Sequence, residues 1–244
     1  LKKEEQLVKT MSCFKSLMEI YDVIDYRALA TSAMREARNG KDIIWRIRKE
    51  TGVDVQIISG DEEARTIASI AKDFKVNEGN WIFIDVGGGS TEVSLLVNGK
   101  PLESNSFELG TLRILAGRDK PETWKKFKDA LAGYRGKYGP LNIVGTGGNI
   151  NRYWKMSSHR EKKGVNTIAV DEMEGLFEAL KILSVSERME QFRLKPDRAD
   201  VIVPAGDIFL TAAKVLGSKY LVVPMTGLGD GIVEDLVMNN MNVI

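Results

Sequence analysis

Asp85-Val86-Gly87-Gly88-Gly89-Ser90-Thr91-Glu92 is the stretch of sequence that decides the fold of this chain. It begins at the end of a nearly continuous apolar run at residues 81–86. It precedes residues 93–97, where every second side chain is apolar. Asn98-Gly99 comes next and predicts a two-residue hairpin turn, because both central positions of a type I′ turn need positive φ. We therefore predict that residues 81–107 form antiparallel strands and not a βαβ unit.

Helical and strand-like stretches alternate on both sides of this centre, which is the usual pattern of an α/β protein. The first residues carry apolar side chains at helical spacing and predict an amphipathic helix. Further strands are predicted at residues 23–30, 53–58, 141–144 and 219–224. Further helices are predicted at residues 42–50, from 60 or 61 onward, at 124–134, after 148, and at 173–183, 201–215 and 227–240.

The composition is that of an ordinary globular chain. Its 244 residues, set against a prior of roughly 150 per domain, suggest one large domain or two modest ones. The net charge is +1, with 43% hydrophobic and 28% charged residues, which argues against disorder. Net charge therefore gives no reason to expect nucleic acid or a membrane surface as a partner. The apolar runs are also far shorter than a membrane span of about 20 residues.

Cysteine and histidine usage narrows the chemistry. A single cysteine, Cys13, excludes an internal disulfide and favours the cytoplasm, and a single histidine, His159, excludes zinc sites built from Cys/His clusters. Any metal must then have oxygen ligands, which suits Mg²⁺, Mn²⁺ or Ca²⁺. We expect Cys13 in the core and His159 at the surface, where its neighbours Arg160, Lys162 and Lys163 are either solvated or a basic rim for a polyanion.

Three consecutive glycines between two strands need an explanation beyond a simple turn, because they cost backbone entropy and side-chain packing. Glycine lets a backbone approach a ligand closely, so Gly87-Gly88-Gly89 could offer amides to a phosphate, with the Ser90 and Thr91 hydroxyls as further donors. Strand pairing would bring Asp85 and Glu92 to the same mouth. Since these like charges repel each other, a divalent cation between them and the phosphate is expected. The alternative is a purely structural turn.

Glu63 has two interpretations. Ser59-Gly60-Asp61-Glu62 has the spacing of a capping box, so a helix begins at Gly60 or Asp61. An acid in its first turn can simply complement the helix dipole, which is worth roughly 0.3–1 kcal/mol. Glu63, however, lies next to the apolar stripe of this helix. It could therefore face a cleft and act as a general base on a water molecule.

Gly145-Thr146-Gly147-Gly148 is a second glycine-rich loop, between a predicted strand and a predicted helix. Amides at a helix N-terminus can bind an anion, which makes this loop a further candidate phosphate site. A tight strand-to-helix turn explains it nearly as well.

Several of these motifs occur together in one known family. The residues that carry the resemblance are Ala30-Thr31-Ser32-Ala33-Met34-Arg35-Glu36-Ala37, Ile58-Ser59-Gly60-Asp61-Glu62-Glu63-Ala64-Arg65, Asp85 to Glu92, Val144-Gly145-Thr146-Gly147-Gly148-Asn149, and Gly227-Leu228-Gly229-Asp230-Gly231. Their order and spacing resemble the exopolyphosphatase / guanosine pentaphosphate phosphatase family over essentially the whole chain.

The resemblance implies a fold and an activity. The fold would be that of actin-like ATPases, with two ribonuclease-H-like lobes and a cleft between them. Residues 1–66 and 226–244 would form a discontinuous, incomplete first lobe, and residues 67–225 would form the second. The activity would be hydrolysis of the terminal phosphoanhydride of polyphosphate or guanosine pentaphosphate, two substrates that the sequence does not distinguish. A homodimer is compatible with the sequence, which does not determine the oligomeric state.

The resemblance also implies roles for the motif residues. Glu63 corresponds to the catalytic glutamate that positions or deprotonates the attacking water. Asp85 and Glu92 correspond to the pair that organises Mg²⁺, with Mn²⁺ as an alternative, and Glu92 also helps to organise the water. Residues 87–91 correspond to the loop that holds the phosphate chain, and residues 145–148 are carried as a second phosphate-binding segment.

Two departures from the family pattern affect the expected activity. No Asp-x-Gly-Ser-Asn-Ser phosphate loop is found, and Gly229-Asp230 replaces the usual Arg-Glu. We therefore expect the intact protein to be an active phosphohydrolase and the 244 residues alone to be weak or inactive. Two other functions stay open at this point: a kinase or ATPase of the same fold, and a non-catalytic sensor of polyphosphate or a guanosine alarmone.

Overall fold

The computed structural model describes residues 2–69, 79–158 and 166–241, which form an α/β structure as predicted. In these residues the strands are β1 (Ala28–Ala30), β2 (Val55–Ile57), β3 (Asn80–Val86), β4 (Thr91–Val97), β5 (Lys100–Phe107), β6 (Asn142–Thr146), β7 (Thr167–Ala169) and β8 (Tyr220–Val222). The helices are α1 (Lys2–Ile20), α2 (Ser32–Arg35), α3 (Gly40–Thr51), α4 (Gly60–Ser69), α5 (Thr111–Leu115), α6 (Pro121–Tyr138), α7 (Gly148–Met156), α8 (Val170–Lys181), α9 (Val185–Phe192), α10 (Pro196–Ala199), α11 (Ile202–Leu216) and α12 (Leu228–Met241).

A six-stranded sheet in the order β5-β4-β3-β6-β8-β7 is the centre of the structure. Strands β3, β4 and β5 pair antiparallel, whereas β6 runs parallel to both β3 and β8. The turn between β4 and β5 has Asn98 at φ 50° and Gly99 at φ 74°. The predicted hairpin and the antiparallel arrangement of residues 81–107 are thus confirmed.

Helices cover both faces of this sheet. The larger core includes Ile84, Val93 and Leu95 with apolar residues of α6, α8 and α11, and a smaller cluster on the other face includes Phe83 and Leu96. The period-2 alternation of β4 therefore does not leave one face in water. Helix α4 packs on β4 and β5 and covers the second face.

The N-terminal part forms a separate small layer, in which β1 and β2 pair in parallel. Helices α1 and α3 pack together around Val8, Ile47 and Val53. Two expectations are wrong here. The strand predicted at residues 23–30 is confined to β1, and Cys13 is exposed because α1 buries only the side of the helix that carries Val8.

The last helix returns to the N-terminal part of the chain. Helix α12 packs on α4, and at Gly231 a Cβ atom would lie 2.4 Å from the carbonyl oxygen of Thr66. Arg27 Nη1 lies 3.7 Å from Asp235 Oδ2. Residues near both ends of the described chain are therefore in contact.

Some sequence expectations concern residues outside the described ranges. His159, Arg160, Lys162 and Lys163 belong to this group. Among the helices that the structure does describe, none combines the length and the apolar character needed to cross a bilayer.

Candidate functional site

Two carboxylates lie side by side on adjacent strands. In the antiparallel pairing of β3 with β4, Asp85 is directly opposite Glu92. Residues opposite each other project to the same face of a sheet, with Cβ atoms about 5 Å apart. Thr146 of β6 flanks Asp85, and Ser106 of β5 flanks Glu92. The register confirms that the two acids meet at the mouth of the hairpin.

Both carboxylates are held by hydroxyls of the neighbouring strands. Thr146 Oγ1 donates to Asp85 Oδ1 (3.0 Å), and Ser106 Oγ donates to Glu92 Oε1 (2.9 Å). Glu92 is only 3% exposed, and its second oxygen, Oε2, has no hydrogen-bond partner among the described residues. Burial raises the pKa of each acid, and these hydroxyls oppose the rise only in part. The hydrogen bonds that the two carboxylates accept therefore do not fully offset the cost of burying their negative charges.

Glu63 joins this pair from a different element. Ser59 Oγ accepts a hydrogen bond from the Glu62 amide (3.1 Å), so α4 begins at Gly60, within the predicted limits. A Cβ atom at Gly60 would lie 2.2 Å from Ser106 Cβ, so only glycine lets α4 start this close to β5. The Glu63 side chain, one turn into the helix, is 7% exposed. Glu63 therefore faces the interior and not bulk water.

The electrostatics of Glu63 are unusual for an acid in the first turn of a helix. Its Oε2 atom is buried and has no hydrogen-bond partner within the described part of the chain. Burial, together with the negative charges of Glu92 and Asp85, raises the pKa of Glu63 to about 7, while Arg35 opposes the rise. A carboxyl group with such a pKa can take a proton from water near neutral pH.

Arg35 is the cation that faces these acids, and the sequence analysis assigned it no role. Its Nη1 atom donates to the carbonyl oxygen of Ile58 (2.7 Å) and lies 3.6 Å from Glu63 Oε2. Arg35 also lowers the pKa of Glu92. The only sequence signal for Arg35 was its place within the motif at residues 30–37.

The glycine loop at residues 87–89 is held from one side by α5. The amides of Thr111 and Leu112 donate to the carbonyls of Gly87 and Gly88 (3.0 and 2.9 Å). Arg113 Nε donates to the next carbonyl, that of Gly89 (2.9 Å). In the described residues, by contrast, the amides of Gly88, Gly89 and Ser90 have no backbone acceptor. The loop therefore has its carbonyls occupied and consecutive amides free for an anion.

Close packing explains why this loop needs glycine. A Cβ atom at Gly89 would lie 2.5 Å from Ser32 Oγ, and one at Gly88 would lie 3.0 Å from Leu112 Cδ1. Gly110, just before α5, would place a Cβ atom 2.4 Å from the carbonyl oxygen of Gly88. The loop is thus enclosed between α2 and α5.

The two hydroxyls that follow the loop have different surroundings. Thr91 is fully buried, and its Oγ1 atom donates to the carbonyl of Leu109 (2.5 Å). This differs from the expectation that Thr91 donates to a phosphate, because the hydroxyl is already used to hold the β5–α5 connection. Ser90 is also buried, and its hydroxyl donates a hydrogen bond to the Glu92 carboxylate, which lowers the pKa of Glu92.

The second glycine segment divides between a strand and a helix. Gly145 and Thr146 belong to β6, where a Cβ atom at Gly145 would lie 2.9 Å from Ile150 Cγ1. Gly145 therefore serves core packing, and Thr146 binds Asp85 rather than a ligand. Gly147, with φ 90°, precedes α7, and Gly148 is its first residue. The turn between strand and helix is therefore confined to Gly147, and Gly148 lies at the helix N-terminus.

A basic cavity of about 150 Å³ lies at the start of α7. A Cβ atom at Gly148 would lie 2.8 Å from the guanidinium of Arg198, so glycine is what lets this cation approach the helix N-terminus. The sequence did not predict this cavity, because its cations come from segments that are far apart along the chain. Its lining consists of Gly148, Asn151, Arg152, Lys155, Lys195 and Arg198.

The carboxylates suit a divalent cation that also has ligands from outside the protein. No group of three or more Asp, Glu, His or Cys residues with metal-binding geometry occurs within residues 2–69, 79–158 and 166–241. Asp85 and Glu92 are adjacent, and the second oxygen of Glu92 lacks a hydrogen-bond partner in the part of the chain that the structure describes. Mg²⁺ typically binds through one or two carboxylates and completes its shell with water and substrate phosphates. The residues present fit that mode.

Comparisons of the sequence place it among phosphatases. The sequence profile of the Ppx/GppA phosphatase family matches residues 2–240. Exopolyphosphatase 1 of Mycobacterium tuberculosis H37Rv is 35% identical over 111 residues, which are 45% of this chain and 32% of that protein. The guanosine-5'-triphosphate,3'-diphosphate pyrophosphatase of Aliivibrio fischeri is 28% identical over 136 residues, which are 54% of this chain and 27% of that protein.

A solved structure extends the likeness to the fold. The crystal structure of the Aquifex aeolicus member of the Ppx/GppA family aligns with a TM-score of 0.77 at 25% sequence identity and covers 98% of this chain and 82% of that chain. The match to the mycobacterial relative spans only about a third of that protein's length (32%). The profile match and the shared fold lead to one conclusion: this chain belongs to the Ppx/GppA phosphatase family.

Proposed function

We propose that the protein hydrolyses the terminal phosphoanhydride bond of inorganic polyphosphate, of guanosine pentaphosphate, or of both. The observation that carries this proposal is the position of Glu63. Its buried carboxylate, one oxygen of which has no hydrogen-bond partner among the described residues, is influenced electrostatically by both Asp85 and Glu92. Burying three acids together is costly unless a cation and a reacting group complete the site.

Binding of the substrate is assigned to the glycine loop. The amides of Gly88, Gly89 and Ser90, which have no backbone acceptor among the described residues, are consecutive donors that suit the oxygens of a terminal phosphoryl group. Phosphoryl transfer needs positioning and neutralisation of charge more than covalent chemistry from the protein. Fixed amides stabilise the charge on these oxygens without reorganising during the reaction.

Glu63 is assigned as the general base. Its pKa of about 7 allows it to accept a proton from the attacking water near neutral pH. Arg35, 3.6 Å away, favours the charged form of Glu63 and limits the rise of its pKa. Arg35 therefore keeps enough of the base ionised to be useful.

Asp85 and Glu92 are assigned as the protein ligands of Mg²⁺, with Mn²⁺ as the alternative. When bound, such an ion supplies charge neutralisation at the phosphoryl oxygens and lowers the pKa of water. Thr146 and Ser106 each donate to one oxygen of these acids and so orient the remaining lone pairs.

The substrate class is supported by the relatives and by the basic cavity. The mycobacterial and Aliivibrio proteins are named for polyphosphate and for a guanosine polyphosphate, respectively. The cavity at the start of α7 is lined by four cationic side chains, and Gly147 beside it is in contact range of Asp85. Such a cavity suits a substrate that carries several phosphates beyond the one removed.

We further propose a cytoplasmic location for the protein. We also propose a cleft between two lobes, of which one consists of residues 1–66 and 226–244 and the other consists of residues 67–225.

Phosphate release by the full-length protein tests the proposal. Polyphosphate and guanosine pentaphosphate are each supplied with Mg²⁺, with Mn²⁺, or with a chelator. Hydrolysis is expected only with a divalent ion. Glu63→Gln should reduce kcat by at least about a hundredfold, the scale of general-base catalysis. Glu62→Gln, one position away and outside the acid cluster, serves as the matched control. Equal rates for Glu63→Gln and the wild type would exclude Glu63, whereas tight binding of either substrate without turnover would favour the sensor function.

A further inference from the structure

Arg113 connects the glycine loop to the segment that carries Arg35. Its Nε atom donates to the Gly89 carbonyl (2.9 Å), and its Nη2 atom forms a salt bridge with Glu36 Oε2. The Arg113 side chain is only 16% exposed. One guanidinium thus contacts two segments that are far apart in sequence.

On the loop side, Arg113 completes a set of three contacts. Backbone amides of α5 already bind the carbonyls of Gly87 and Gly88, and the Arg113 side chain binds that of Gly89. All three glycine carbonyls are therefore held by one short helix. With its carbonyls held in this way, the peptide planes of the loop, and so its free amides, have a set orientation.

On the other side, Glu36 follows directly after Arg35. The Glu36 amide donates to the carbonyl of Ser32 (2.9 Å), which ties Glu36 to α2. A Cβ atom at Gly89 would lie 2.5 Å from Ser32 Oγ, so α2 is also packed directly against the loop. The residue that Arg113 binds is therefore the direct neighbour of Arg35, which lies 3.6 Å from the Glu63 carboxylate.

We propose that Arg113 is a positioning residue, which acts together with Glu36 to hold the phosphate-binding amides of the glycine loop in register with Arg35 and Glu63. This inference rests on the function proposed above. In the proposed reaction, Arg113 does not contact the reacting atoms. Its role is to fix how far the loop lies from the base, and misplacement of reacting groups by about 1 Å can cost on the order of a hundredfold in rate.

The planar shape of the guanidinium is what makes this role possible. Arginine can donate through Nε in one direction and through Nη2 in another, whereas the lysine ammonium is a point charge on a flexible stem. An exposed ion pair alone would add little to the stability of this arrangement. Arg113→Lys therefore preserves the charge and removes the bridge.

Four variants of the full-length protein test the inference: Arg113→Lys, Glu36→Gln, the double variant, and the control Arg135→Lys. Arg135 of α6 also donates from its guanidinium to a backbone carbonyl, that of Val215 in α11 (2.9 Å), and it does not contact the glycine loop or Glu36. The first measurement is hydrogen exchange of the Thr111 and Leu112 amides, which bind the loop carbonyls. The second is kcat and KM with polyphosphate and Mg²⁺.

Arg113→Lys should speed hydrogen exchange of these two amides. It should also lower kcat about tenfold, which is the scale of loss seen when a supporting partner is removed, and it should leave KM within about twofold of the wild-type value. Glu36→Gln should have a smaller effect, and the double variant should be no worse than Arg113→Lys, because both changes break one bridge. Arg135→Lys should match the wild type in kcat, in KM and in the exchange of the two amides.

Three results would overturn the inference: unchanged exchange in Arg113→Lys, a change confined to KM, or an equal effect of Arg135→Lys. A change confined to KM would make Arg113 a substrate contact, and an equal effect of Arg135→Lys would show that the loss of any contact between a guanidinium and a carbonyl, and not of this bridge, lowers the rate. If the wild type hydrolyses neither substrate, the proposed function fails, and the exchange data still decide whether Arg113 holds the loop.

Discussion

Arg35 Nη1 lies 3.6 Å from Glu63 Oε2, close enough for an ion pair but without forming a hydrogen bond to that oxygen. Arg35 instead donates to the carbonyl of Ile58 (2.7 Å). The buried carboxylate therefore keeps one oxygen free while a cation remains nearby. This is a suitable arrangement for a base, since the free oxygen can accept a proton and the cation stabilises the ionised form.

The first prediction concerns the pH dependence of the reaction. Glu63 must be deprotonated to act as a base, and its pKa is raised to about 7 by burial and by the charges of Glu92 and Asp85. We expect kcat/KM at saturating Mg²⁺ to fall about tenfold per pH unit on the acid side of this pKa, because kcat/KM reports the free enzyme. Measurement between pH 5 and 9 checks this. A profile that stays flat down to pH 5 would contradict the assignment.

The second prediction concerns stability. Because the pKa of Glu63 is higher in the folded state than its ordinary value of 4.5, the folded state binds more protons between pH 4.5 and about 7. Wild-type stability should therefore decrease as pH rises through this range. Glu63→Gln removes this dependence and should be more stable at pH 8, by on the order of 3 kcal/mol. Urea unfolding without divalent ions at pH 4.5 and 8 measures the difference, and Glu62→Gln serves as the control.

The third prediction concerns Arg35. Its positive charge lowers the pKa of Glu63, so Arg35→Met should raise that pKa further and move the acid limb of the kcat/KM profile to higher pH. Arg35→Lys retains the charge and should leave the limb closer to the wild-type position, although kcat falls because the contact with the Ile58 carbonyl is lost. An unchanged limb in Arg35→Met would show that Arg35 does not act on the base.

The fourth prediction concerns Gly110. A Cβ atom there would lie 2.4 Å from the backbone carbonyl oxygen of Gly88, so Gly110→Ala should displace α5 or the glycine loop. We expect a loss of about 1–3 kcal/mol in the free energy of unfolding, the usual cost of overpacking, together with loss of hydrolysis. Gly133→Ala is the control, because a Cβ atom there meets nothing within 4 Å in the middle of α6. It should stabilise the protein by about 0.5–1 kcal/mol.

Strong local signals explain why the centre of the fold could be predicted. Asn98-Gly99 marks the hairpin, and the glycine loop at residues 87–89 separates two runs with strand patterns, so β3, β4 and β5 were all expected. The extra strand length predicted at residues 23–27 was wrong, because apolar residues there have no pairing partner in the structure. Cys13 was placed in the core for a related reason: helical spacing identifies an apolar stripe but not how much of it another helix covers.

The sequence by itself determined the α/β class and the hairpin that places Asp85 opposite Glu92, because both depend on spacing within a few residues. For Glu63 the local pattern left two interpretations open, and its proposed role came from the resemblance to a family. Only the tertiary structure decided which groups surround these acids. Arg35 and Arg113 act on residues from other segments, and the hydroxyl of Thr91 is used by Leu109. Such pairings depend on how helices pack on a sheet, and that packing arises from burial over the whole chain rather than from any local pattern.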